Sequence, residues 1–207
     1  MNTSQEIEAK FYVKDSKEIE SRIRELDARL IQPRVLETNL RFDLPDSRLR
    51  SAGRVLRLRQ DTAARLTYKG AGQGEQGIVT RTEIEFTVED FEKARSFLEA
   101  LGYQKLFEYE KYRTTYLVHT SEGSMHVMLD ELPYGNFVEI EGENIQGIHS
   151  LAEKLKLNRS AAISMSYSAL FERLRMDLRL AFKDLTFANF EKISISAEQL
   201  RVQPADQ

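Results

Sequence analysis

Along residues 5–13 the chain alternates Glu6, Glu8 and Lys10 with Ile7, Ala9 and Phe11. A period of two sends successive side chains to opposite faces, so this stretch predicts a strand with one ionic and one apolar face. Similar patterning predicts strands at 35–44, 54–60, 64–69, 79–88, 105–119, 125–131 and 135–142. Two intervening stretches switch to a helical period. Asp15 is placed to cap a helix running to about Leu30, with Ile19, Ile23, Leu26 and Leu30 on one side. A second helix is predicted at about 90–101 (Phe91, Ala94, Phe97, Leu98, Leu101), with Gly102 as its C-terminal cap. From about Ile148 onward the pattern is helical, most clearly over 165–180, and the end after about Val202 is expected to fray. The Gly-rich 70–77 stretch reads as a mobile loop.

Strands that follow one another with few helices between them imply an antiparallel sheet with helices packed outside, an α+β arrangement. About eight strands are enough to close a β-barrel. No internal repeat and no linker divides the chain. It therefore reads as one domain over residues 1–170 with a helical C-terminal extension over 171–207, packed on that domain or projecting from it.

Charge changes this picture. Five strands each carry a like-signed pair two residues apart: Glu6/Glu8, Arg57/Arg59, Glu83/Glu85, Lys111/Arg113 and Glu139/Glu141. Such residues share a face about 7 Å apart. Any one pair is the solvated face of an ordinary half-buried strand. Five together are harder to explain so, because solvated faces intersperse signs and adjacent like charges repel. They point to an external charge that offsets them, a divalent cation for the acids and a polyanion for the bases. If the apolar faces pack against the helices, the ionic faces converge on a lumen, or tunnel. Strands turned to solvent are the rival arrangement.

Composition narrows the chemistry. The chain has 207 residues, 41% hydrophobic and 30% charged, and no Cys, which excludes disulfides, thiolate metal sites and a cysteine nucleophile. The net charge of −3 argues against a general nucleic-acid binder. No apolar run approaches the roughly 20 residues of a membrane span. Residues 1–6 show no secretory signal, so a cytoplasmic location is expected, with neither nucleic acid nor membrane as partner. Glu6, Glu8, Glu139 and Glu141 offer the hard oxygens that Mg²⁺ prefers. Lys10, Arg57, Arg59, Lys69, Lys111 and Arg113 suit a short polyphosphate.

Glu6-Ile7-Glu8-Ala9-Lys10 is an ExExK motif, and an ordered series follows it. The series runs through Arg54-Val55-Leu56-Arg57-Leu58-Arg59, Leu66-Thr67-Tyr68-Lys69-Gly70, Glu83-Ile84-Glu85 and Glu110-Lys111-Tyr112-Arg113. It ends with Leu129-Asp130, Phe137-Val138-Glu139-Ile140-Glu141 and Ser166-Tyr167. Over residues 5–170 this set resembles the CYTH superfamily of triphosphate tunnel metalloenzymes. The resemblance implies an eight-stranded antiparallel tunnel that binds a triphosphate-containing small molecule with Mg²⁺ or Mn²⁺. Carried over, Glu6, Glu8, Glu139 and Glu141 would ligate metal. Lys10, Arg57, Arg59, Lys69, Lys111 and Arg113 would hold phosphates. Lys10, Glu139 and Asp130 would act in catalysis, while Glu83, Glu85 and Tyr167 would support the lumen. Where many members read Tyr-Phe-Asp-Thr-Pro, this chain has Arg41-Phe42-Asp43-Leu44-Pro45, so Arg41 would add a cation for substrate.

The function implied is hydrolysis of tripolyphosphate or an organic triphosphate to orthophosphate by metal-activated water. Alternatives are a class IV-type adenylyl cyclase, making cyclic AMP and pyrophosphate, and a non-catalytic polyphosphate or nucleotide binder. The His-Phe element that often precedes ExExK in the cyclases has no room before Glu6. A monomer or homodimer is expected. His119, His126 and His149 show no metal spacing; His126 alternates with Val127 on the Asp130 side, so a structural place is expected for it with a lumen-facing one as the alternative, while Phe11, Phe42, Tyr112 and Tyr116 read as outward core contacts and Arg173, Arg175 and Arg179 as a solvated face.

Overall fold

The alternating N-terminal stretch forms β1 (Ser4–Val13). It pairs with β9 (Gly135–Gly142), which pairs with β8 (Gly123–Leu132), and β8 with β7 (Gln104–Thr120). Pairing continues through β2 (Arg29–Asp43), β3 (Val55–Gln60), β4 (Ala64–Lys69) and β6 (Ile78–Val88). β6 returns to β1, so eight antiparallel strands close a ring. This is a computed structural model, and it describes residues 4–75 and 77–207. The sequence reading of residues 1–3, and of Gln76 within the 70–77 stretch, lies outside the described residues.

The apolar strand faces point outward. Ala9, Phe11 and Val13 of β1, with Tyr116, Val127 and Ile140, pack under α1 (Ser16–Glu25) and α4 (Ile145–Lys154) through Ile19, Ile23, Ile148 and Leu151. Leu40, Phe42 and Leu58 pack under α3 (Phe91–Ala100) through Leu98. The expected α+β architecture, with helices outside a sheet whose ionic faces point inward, is therefore present. At one end of the ring the inward faces turn aromatic. Tyr12 follows Lys10, Phe137 precedes Glu139, and Tyr109 precedes Lys111 on the same faces. There Tyr12, Phe137 and Tyr109 pack with α5 (Tyr167–Leu178) through Tyr167, Leu170 and Phe171.

Several elements differ from expectation. The Asp15 carboxylate does cap α1, accepting from Lys17 and Glu18 N–H at 3.0 Å, but the helix stops at Glu25 rather than near Leu30. Asp27 turns left-handed (φ 53°), and the next residues join β2, whose long pairing with β7 overrides their helical period. The expected 70–77 loop instead contains β5 (Gln73–Glu75), a hairpin partner of residues 78–80. Gly77 (φ 82°) turns that hairpin against Ala162, whose Cβ would lie 2.4 Å from an added Cβ. Gly77→Ala is accordingly expected to cost about 1–3 kcal/mol, read as a lower urea midpoint.

The helical expectation from about Ile148 onward holds for α4 and α5 but not for the chain beyond them. After Leu178 the described helix is a single 3-10 turn at Ala188–Phe190. The segment is an extended strap, because its backbone finds partners on the ring instead of within itself. Leu185 N–H donates to Glu108 O and accepts through its own carbonyl from Glu110, both at 2.9 Å. The end does not fray: Ala205 is fully buried and donates to Tyr12 O at 2.9 Å. Arg173 is not on a solvated face, since its guanidinium donates to the Leu200 carbonyl and ties the strap to α5.

Candidate active site

The register brings the ionic faces together. Going round the ring, Glu8 faces Glu141, Lys10 faces Glu139, Arg41 faces Arg57, and Lys69 faces Glu83. Two of these four are like-charge neighbours, which destabilise a sheet unless something offsets them. The faces line a cavity of about 770 Å³. Nine Lys or Arg and eight Asp or Glu side chains line it, so the lumen largely compensates itself. The expectation that each strand's charge awaits an external partner is thus too simple, because much of it is met across the lumen.

The basic half is built round buried carboxylates. Asp130, 1% exposed, lies on the inward face beneath the lining side chains and accepts from Lys111 Nζ at 2.9 Å, from Arg113 at 2.6 Å and from the Tyr167 hydroxyl at 2.9 Å. Glu37 lies within ion-pair distance of Lys111, Arg113 and Arg59. Burial alone would raise its pKa, but Lys111, Arg113 and Arg59 outweigh burial and lower it to about 2. Arg57 donates to the Thr67 hydroxyl at 3.2 Å and pairs with Glu85, as does Arg59 at 3.0 Å. Lys10 Nζ sits 3.2 Å from Glu139 and 4.4 Å above the Tyr167 ring. Burial disfavours its charge, yet Glu139 and Glu8 prevail and its pKa is raised. Arg41 differs from these. Its Nε is buried without a hydrogen-bond partner, and among the described residues no carboxylate lies within ion-pair distance. Burial and the neighbouring Arg57 and Arg81 lower its pKa despite Tyr109.

The acidic half comprises Glu6, Glu8, Glu83 and Glu141. Lys69 pairs with Glu6 and Glu83, and Arg81 bridges Glu6 at 2.8 Å and Glu8 at 3.1 Å. Burial opposes ionisation of Glu6, but Lys69 and Arg81 lower its pKa to about 2. Among the described residues Glu141 has no cation within ion-pair distance. Burial, Glu6, Glu83 and Glu8 together push its pKa up to about 7, against Lys69. An all-oxygen donor set with one under-compensated carboxylate fits a hard divalent cation. Among the described residues, no three Asp, Glu or His side chains are gathered closely enough to hold a metal by themselves. Mg²⁺ takes one or two carboxylates and completes its shell with water and phosphate oxygens.

Every residue expected at the site lines the cavity except Asp130, which holds the lining from behind. Sequence reading missed Glu37, Asp61, Arg65 and Arg81. Arg81 was within reach, being two and four residues before Glu83 and Glu85 on one face, but its opposite sign hid it from a search for like-charged pairs. Glu37, with Asn39 and Arg41 after it on the same face, mixes sign and was passed over likewise. His126 takes the lumen-facing alternative rather than the structural place expected for it, and is exposed on the cavity rim beside Glu141. Phe11, Phe42 and Tyr116 pack outward as expected.

Comparison with solved structures places this fold among known ones. A protein from Vibrio parahaemolyticus, solved as a candidate adenylate cyclase, superposes with a TM-score of 0.71 at 20% identity over 81% of this chain and 97% of its own. PH1819 from Pyrococcus horikoshii OT3 gives 0.63 at 27% identity, covering 81% and 98%. HpAC1 from Hippeastrum, a candidate adenylyl cyclase with a dominant triphosphatase activity, gives 0.60 at 17% identity over 81% and 95%. No curated protein matches the chain. The CYTH domain model matches residues 4–169, the whole ring together with the start of α5, and the chain therefore belongs to the CYTH domain family.

Proposed function

We propose that this protein is a metal-dependent triphosphate hydrolase that cleaves tripolyphosphate or an organic triphosphate to release orthophosphate. One observation carries the reading. The cavity inside the ring sets a basic half beside an acidic half, and each half keeps one charge, Arg41 and Glu141, without an ionic partner among the described residues. A triphosphate with a divalent cation supplies both missing charges. Binding without chemistry needs chiefly the cations, so the acidic half favours a hydrolase over a passive sensor.

In this reading Arg57, Arg59, Lys111, Arg113, Lys69 and Arg41 hold the phosphoryl oxygens, the guanidinium groups as forks and the lysines as point charges. Lys10 is pinned between Glu139 and the face of Tyr167, so it presents a fixed positive charge where negative charge develops. Asp130 orients Lys111 and Arg113 from behind. Glu6, Glu8, Glu139 and Glu141 are the candidate ligands for Mg²⁺ or Mn²⁺, of which one or two would hold the ion, with water and phosphate oxygens completing its shell. When bound, such an ion polarises phosphoryl oxygen and lowers the pKa of water.

The test is a panel of tripolyphosphate, pyrophosphate, ATP, GTP and thiamine triphosphate, each with Mg²⁺, Mn²⁺ or EDTA. The expected result is orthophosphate from at least one triphosphate, abolished by EDTA. Cyclic AMP with pyrophosphate would establish the cyclase reading instead, and tight binding without any turnover would establish the sensor.

A further inference from the structure

A second cavity of about 450 Å³ adjoins the tunnel, and Arg41, Val55, Ser166 and Ser168 line both. It lies between α5, the segment from the end of β2 through the short helix α2 (Arg48–Ser51) to Arg54, the start of β7 and Lys183 of the strap. Its charges are one-sided. Arg41, Arg50, Arg54, Arg175 and Lys183 line it against only two carboxylates, and both of those are engaged. Asp43 accepts from the backbone N–H groups of Leu44, Leu49 and Arg50 at 2.8–3.0 Å. Glu172 pairs with Arg175 at 2.8 Å. Among the described residues, Arg41, Arg50, Arg54 and Lys183 have no carboxylate within ion-pair distance. The twelve-residue helix α5 also starts here, with Ser166 as its N-cap. Its N-terminal dipole adds to the positive field.

A solvated surface would mix signs at this density. Here the cations continue a line that begins inside the tunnel. Arg57 faces Arg41 across β2 and β3, and Arg41 belongs to both cavities. Past it stand Arg50, Arg54 and Lys183. We propose that this annex is a subsite for the phosphoryl groups that follow the third in a linear polyphosphate, so that the protein takes chains longer than tripolyphosphate. This rests on the reading of the tunnel as a triphosphate site.

The test measures equilibrium binding to the full-length protein in EDTA, where no turnover intervenes. The probes are linear polyphosphates of three, five and eight units, ATP, and inorganic phosphate. The five- and eight-unit chains are expected to bind about tenfold more tightly than tripolyphosphate. The double variant Arg54→Gln/Lys183→Gln should lose that gain and keep its tripolyphosphate affinity. Lys93→Gln/Lys154→Gln, equal in charge change but on exposed positions of α3 and α4, should keep the gain. Equal affinities at all lengths in the unmodified protein, or a gain that survives in the first variant or is lost equally in the control, would overturn the proposal. So would free phosphate tightening tripolyphosphate binding through Arg54 and Lys183, which marks a separate anion. ATP showing the same variant-sensitive gain would assign the annex to a nucleoside and overturn it too. Length-dependent binding by a protein that hydrolyses nothing would sink the hydrolase reading and leave the subsite standing, whereas absence of binding by every chain would end both.

Discussion

The Asp130→Asn variant is expected to lose about 3–5 kcal/mol of stability, a fall in Tm of roughly 6–20 °C for a chain of this size. Asparagine keeps the shape of the side chain, so no cavity opens and packing is unchanged. What disappears is the negative charge that two buried cations share. Lys111 and Arg113 would keep Glu37 within ion-pair distance, and Arg113 would keep its hydrogen bond to Glu139, but Lys111 would lose its charged hydrogen-bonded partner and Arg113 one of its two. Removing one member of a buried ionic cluster leaves the others desolvated and uncompensated, which is where the cost arises. Tyr167 would also lose the acceptor that fixes its ring over Lys10. The triphosphate KM should therefore rise along with the loss of stability. Glu131→Gln is the internal control, since it breaks a half-exposed pair with Arg34 and should cost less than about 1 kcal/mol. Thermal and urea unfolding of the two variants settle the matter. A loss at Asp130 no larger than at Glu131 would mean that the wall does not depend on this carboxylate.

How far the sequence discloses this molecule depends on how local the cause is. The ring was legible because each strand writes its two faces separately: Glu6, Glu8 and Lys10 against Ile7, Ala9 and Phe11 needs no tertiary information. Asp15 announced its helix for the same reason, as its carboxylate meets N–H groups two and three residues on. Features set by distant partners were hidden. Leu30 belongs to a helical period, yet β7 claims it. The strap after Leu178 has helical spacing in places, but Glu108 and Tyr12 supply its backbone partners from far upstream. In the site, like-signed pairs stood out and mixed faces did not. Glu37 and Arg81, which neutralise the pairs, were missed because the compensation that makes them important also erases the pattern. Asp130 was found by motif, but its place behind the lining is a consequence of register, where it falls opposite Arg113.

The Glu141→Gln variant is expected to be more stable and nearly inactive. The wild-type carboxyl is held at about 7 by burial and by Glu6, Glu83 and Glu8, against an ordinary value of 4.5. The folded state therefore holds this proton more tightly than the unfolded chain does. The stability that goes with the protonated form is present in full below pH 4.5 and is lost as pH rises through 7. Above that, the ionised carboxylate weakens the metal-free fold by about 3 kcal/mol, at 1.36 kcal/mol per unit. Glutamine carries no charge at any pH. In EDTA the variant should match wild type near pH 4.5 and unfold at a higher temperature at pH 8. Adding Mg²⁺ at pH 8 should reverse the order, because a ligand that binds only the native state stabilises the protein that can hold it. Turnover should fall at least about 100-fold, since loss of groups that merely support a metal ligand already costs 10–100-fold. The two effects share one origin: the carboxylate is strained in the apo fold because it is kept for a cation. A Tm difference that is the same at both pH values, or Mg²⁺ stabilising both proteins equally, would show that Glu141 is an ordinary wall residue.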